Sequence, residues 1–166
     1  MEVITPSLDA SDVYQQEARE PRSYTATPAG TYEMALESLS VVKTKAGERQ
    51  LKAFFIHTDA TNGFKGVNYF AMLEGTNANG KPKAKAFGDF LASLGFDTAD
   101  IIGGKAAVAL TGEADPEAAW KGAPATVTIN GDAVDLKGRR AVVKLADSEY
   151  NGKVTTKATA TYKIAA

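Results

Sequence analysis

Apolar residues recur along this chain at two spacings: every second position over most of its length, and every third or fourth over one short stretch. From Thr31 to Val42 they first occupy even positions (Tyr32, Met34, Leu36) and then shift to Leu39 and Val41, which predicts a long strand with a bulge near Ser38. Lys45-Ala46-Gly47-Glu48 reads as a turn, and Gln50 to Thr58 as the returning strand of a hairpin. Gly66 to Leu73, after the turn signal Asn62-Gly63, predicts a third strand. The period then lengthens. Phe87, Phe90, Leu91 and Leu94 lie at helical spacing, so Lys83 to Leu94 predicts a short amphipathic helix stopped by Gly95. Residues 97 to 136 are less regular, although Ala125 to Ile129 followed by Asn130-Gly131-Asp132 resembles a hairpin arm. At the end, Arg139 to Leu145, a turn at Tyr150-Asn151-Gly152-Lys153, and Val154 to Ile164 predict a second hairpin.

Three strands, a helix, an irregular stretch and two more strands form the element order of a mostly β, OB-fold-like barrel of five bent strands with one short helix. A half-open sandwich shares that order. The folded part is expected as a single domain over residues 29–166. Residues 1–28 mix charge, Ser, Pro and Gln without an apolar period and read as an acidic, flexible N-terminal arm ending at Pro28-Ala29-Gly30.

Composition removes several kinds of chemistry. The 166 residues include no cysteine and one histidine, so disulfides, thiolate metal sites and cysteine nucleophiles are excluded, and His57 has no second imidazole to work with. An ordinary structural or surface role is expected for His57. Asp97 and Asp100 lack a calcium-loop pattern, and the glycines of Gly63-Phe64-Lys65-Gly66 and Gly103-Gly104-Lys105 fit neither a phosphate loop nor a dinucleotide fingerprint. The expectation is a non-enzymatic protein with no metal and no cofactor. No apolar run approaches the roughly 20 residues of a membrane span.

The net charge of −1 hides an uneven distribution, with an acidic beginning and a basic end. Single-strand binders combine cations that follow phosphates with aromatic faces that stack on bases. Both residue types are present here. On the last strand Lys153, Thr155, Lys157, Thr159, Thr161 and Lys163 share one parity, against Val154, Thr156, Ala158, Ala160, Tyr162 and Ile164 on the other. Lysine and threonine on an exposed strand also simply solubilise an edge, so this face alone leaves two readings open. Lys43, Lys45, Arg49 and Lys52 gather around the first hairpin, Lys65 precedes Tyr69, and Arg139 opens a late strand. Since Phe54 and Phe55 point to opposite faces, Phe55 joins Leu51 and Ala53 inside and Phe54 becomes a stacking candidate beside Lys52. The candidate DNA-binding set is therefore Lys43, Lys45, Arg49, Lys52, Phe54, Lys65, Tyr69, Arg139, Lys153 and Lys157. Lys81, Lys83 and Lys85 either extend the phosphate track or are merely solvated, and Trp120 either stacks on a base or packs in the core.

The segments Pro28-Ala29-Gly30-Thr31-Tyr32-Glu33, Lys45-Ala46-Gly47, Phe87 to Gly95 and Glu149-Tyr150-Asn151-Gly152-Lys153 resemble a group of bacteriophage single-stranded DNA-binding proteins over residues 28 to 164. The resemblance implies an OB-type fold and sequence-independent coating of single-stranded DNA during replication or recombination, in the cytoplasm of an infected bacterium. Many single-strand binders end in an acidic tail, whereas this chain ends Tyr162-Lys163-Ile164-Ala165-Ala166. Contact with phage or host replication proteins would then fall to the acidic N-terminal arm, and self-association would extend the groove. Two rivals remain: a structural or protein-interaction β-domain of a virion or assembly, without nucleic-acid affinity, and a metal-dependent nuclease, for which Asp132 and Asp135 supply few carboxylates.

Overall fold

The computed structural model describes residues 2–8, 18–19, 29–59, 63–64, 66–112, 122–150 and 152–165. In chain order the elements are β1 (Val3–Ile4), β2 (Ala18–Arg19), β3 (Gly30–Lys43), β4 (Arg49–His57), β5 (Val67–Met72), α1 (Lys85–Ser93), β6 (Ala106–Leu110), β7 (Ala123–Ile129), β8 (Asp132–Val134), β9 (Arg140–Tyr150) and β10 (Lys153–Ile164). The fold is mostly β, and its centre is an open antiparallel sheet ordered β5-β4-β3-β9-β10. Its two outer strands, β5 and β10, come together without a hydrogen-bonded ladder among the described residues. Helix α1 packs on both of them and covers the join.

Local chemistry explains the framework. The 14-residue strand β3 bends where Glu37 is inserted between Leu36 and Ser38, which resets the inward parity from Tyr32, Met34 and Leu36 to Leu39 and Val41. The helix ends in a Schellman arrangement: Gly95, at φ 102°, donates to the Ala92 carbonyl at 3.0 Å, and Phe96 donates to the Leu91 carbonyl at 3.2 Å. Phe87, Phe90 and Leu91 of α1 are fully buried and meet Phe55, Met34 and Leu51 from the sheet in one core.

Two expectations need correction. Beyond the five strands read from the sequence, residues 106–134 form β6, β7 and β8. β7 joins β3 at Ser40–Pro124 and Val41–Ala123. β6 is buried along nearly its whole length, so it carries no alternation for a sequence pattern to reveal. The second correction concerns the arm. Residues 2–8 are docked: β1 pairs with β6, and Ile4 and Leu8 lie in the core. Two apolar side chains suffice to bind a segment whose average composition is polar. Ala18–Arg19 run parallel to Lys163–Ile164 of β10, and the rest of residues 9–28 lie outside the described residues.

Candidate functional site

Strand alternation builds the most distinctive surface. On β4, Leu51, Ala53 and Phe55 point into the core, which turns Lys52, Phe54 and Ile56 outward. On β5, Tyr69 and Ala71 point inward, which turns Asn68 and Phe70 outward. The ladder sets Lys52 opposite Phe70 and Phe54 opposite Asn68. On the other side of β4, β3 offers only Ser40 beside Lys52 and Ser38 beside Phe54, and Phe54 is half-buried. Phe70 is 39% exposed and Ile56 40%. The Phe54 ring lies across Gly66, where a Cβ would come within 2.5 Å of Phe54 Cζ and 2.6 Å of the Phe55 carbonyl oxygen.

Where β5 approaches β10 the surface opens into a cleft of about 540 Å³, lined by the rings of Tyr32, His57, Phe64 and Phe70 together with Asn68, Thr156 and Lys157. Tyr32, His57 and Phe64 meet edge to face, with ring centroids 5.1, 5.9 and 5.6 Å apart. Partial burial lowers the His57 pKa below 6.5, partly offset by the charge of Asp59. Phe70 belongs to both surfaces, the open face of β4–β5 and the wall of the cleft.

The residues expected to form one groove fall in several places. Lys52 and Phe54 lie together on the open face, and Lys157 stands exposed at the cleft. Lys45 is exposed at the tip of the β3–β4 hairpin, and Lys43 closes β3 nearby. Lys157 lies level with Gly30 at the far end of β3, through the pairs Lys157–Ala146, Ala158–Leu145 and Leu145–Gly30. Along the 14 residues of β3 the two ends are separated by roughly 40 Å of extended chain, less its bend. Lys153 opens β10 opposite Tyr150, and Lys65 and Trp120 lie outside the described residues.

Three of the candidates have other work. Tyr69 is buried, with its ring stacked 6.1 Å from Phe90 and its phenol pushed up to about 12 by burial, so it presents no face to a base. The parity of β5 decides this: with Ala71 it faces α1, and Phe70 takes the outward place. Arg49 is held by carboxylates. Its Nε and Nη2 donate to Glu74 at 3.1 Å each, Nη1 bonds Glu2, and its own backbone N–H donates to Glu74 at 2.6 Å. The hydrogen bond to Glu74 raises the guanidinium pKa and lowers that of the carboxylate. Arg139 caps the helix instead: Nη1 donates to the Leu94 carbonyl at 3.3 Å and the guanidinium lies 4.5 Å over the Phe96 ring.

The ladder expected on β10 is also interrupted. A bulge between Ala158 and Ala160 shifts the parity, so Thr161 turns inward and its hydroxyl is hydrogen-bonded to that of Ser93 on α1 at 2.9 Å. Lys83 pairs with Glu48 at 2.8 Å and Lys85 with Asp89 at 3.1 Å. The rings missed by the initial selection are Phe70, Phe64 and His57. The polar Asn68 between Val67 and Tyr69 marks the outward parity of β5, and that signal identifies Phe70.

Among the described residues no group of three or more His, Cys, Asp or Glu side chains is gathered as a metal site, and no helix is long and apolar enough to cross a membrane. No protein-family model matches the chain, and comparison with curated proteins finds no relative.

Proposed function

We propose that this chain binds single-stranded DNA, without sequence preference and without chemistry, on the outer face of β4 and β5. The supporting observation is the exposed Phe70 with Lys52 directly across the ladder from it and the half-buried Phe54 on the same face of β4, ring surface and a cation on one pleated face. The connectivity favours an OB-type barrel: β3, β4 and β5, then α1, then β9 returning beside β3 and β10 closing toward β5. In that fold the second and third strands form the face that takes oligonucleotides, and they correspond to β4 and β5. Lys45 at the hairpin tip and Lys157 at the cleft extend the phosphate path beyond Lys52. The setting suggested by the resemblance is strand coating during phage replication or recombination in the bacterial cytoplasm, with self-association and contact with replication proteins.

Fluorescence anisotropy of a labelled oligo-dT, at low and moderate salt, tests the reading. Saturable, salt-sensitive binding that weakens in Phe70→Ala and Lys52→Glu supports it; no saturation at low salt removes it. A second reading draws on Ile56, whose aliphatic side chain is exposed beside the rings and adds nothing to base stacking. A protein partner would cover Ile56, Phe54 and Phe70 together, as in a virion or assembly component. That reading expects no oligonucleotide affinity at any salt concentration.

A further inference from the structure

The cleft between β5 and β10 has the chemistry to hold a single nucleobase turned out of the bound strand, and we propose that it is a base-insertion subsite; this rests on the strand-binding reading above. Its size falls in the range of small-ligand pockets, at about 540 Å³. Tyr32, His57 and Phe64 pack edge to face on one another, with Tyr32 almost wholly buried, and form one aromatic wall against which a planar ring can lie.

Two polar neighbours narrow the occupant. The Asn68 amide, exposed on β5, carries both donors and an acceptor and can pair with the edge of a base. The Lys157 ammonium repels a quaternary ammonium, the other common guest of an aromatic cage, and attracts a ring tethered to phosphate. Continuity favours a strand over a free nucleotide: Phe70 stands on the open face opposite Lys52 and also lines the cleft, so a chain stacked on that face reaches the opening without a gap. The protein would then hold its ligand by surface stacking along β4–β5 and by one enclosed base at the edge of β5.

His57 is the chain's one histidine and lies on the cleft wall, so its imidazole C–H resonance reports on occupancy directly. The full chain is titrated with a short oligo-dT and with an abasic oligomer of equal length and charge. Saturation with oligo-dT is expected to move the His57 signal, and saturation with the abasic oligomer to leave it in place. In a variant Phe64→Leu that retains the wild-type circular dichroism spectrum, the Kd for oligo-dT should rise about tenfold while that for the abasic oligomer holds. If Phe64→Leu does not fold, Asn68→Ala on the exposed strand carries the same readout. Saturable oligo-dT binding with His57 unmoved, or with both affinities equally affected, overturns the subsite and leaves the strand-binding surface intact. Failure of wild type to bind any oligomer overturns both.

Discussion

Two adjacent aromatic residues, Tyr69 and Phe70, divide β5 between the core and the proposed binding face. Phe70→Ala removes an exposed ring, so the melting temperature should barely move while oligo-dT affinity drops by the roughly 1 to 3 kcal/mol of one stacked base. Tyr69→Ala opens a cavity against Phe90 and should cost about 3 to 5 kcal/mol in urea unfolding. His57 gives a pH signature. Its folded pKa lies below the unfolded 6.5, so the unfolded state binds more protons as the solution is acidified. The stability it contributes is fully present above about pH 6.5 and is lost as the pH falls through the depressed folded value. Melts of wild type and His57→Gln at pH 8 and 5.5 should show a smaller acid loss in the variant. At this scale the sequence was legible wherever alternation was strict: Phe55 inside and Phe54 outside follow from their neighbours. It was opaque for Arg49, because Glu74 and Glu2 reach it only through the fold.

Bulges and tight approaches govern the elements. Glu37 bends β3 at the place where the switch from even to odd apolar positions is visible in the sequence. The bulge at Thr159 leaves no comparable trace, because Ala158, Ala160 and Thr161 are all small enough to sit on either face. Gly66 is a further constraint. Gly66→Ala drives a methyl group toward Phe54 Cζ and, less yieldingly, toward the backbone oxygen of Phe55. Thermal unfolding should register a loss of about 1 to 3 kcal/mol, and DNA affinity should fall along with the displaced Phe54 ring. The hairpin β7–β8 was legible from Asn130-Gly131 alone. Both residues adopt positive φ, 54° and 84°, as a type I′ turn requires.

For the whole molecule, the arrangement of charge sets how salt should act. With Arg49 committed to carboxylates and Arg139 to the helix end, three cations stand along the proposed path: Lys45, Lys52 and Lys157. A plot of log K against log salt should then have a slope of about −2, from about −0.7 for each neutralised phosphate. A slope several times steeper would mean that further cations take part, the exposed Lys43 near Lys45 among them. Much of the global design was readable as element order, since three strands, a helix and a closing hairpin survive intact in β3, β4, β5, α1, β9 and β10. The β1–β6 edge of the β1–β6–β7–β8 layer was not, because a strand buried along nearly its whole length and a two-residue strand leave no period to detect.

That layer orders events in time. Val3 and Ile4 are made early, yet their partners Ala109 and Val108 are made more than one hundred residues later. On the ribosome this segment must therefore wait, the apolar side chains of Ile4 and Leu8 bare, until β6 has been extruded. Slow assembly is the natural outcome of so distant a partnership. Any fusion joined ahead of Val3 would hang from a strand whose partner lies in the second half of the sequence.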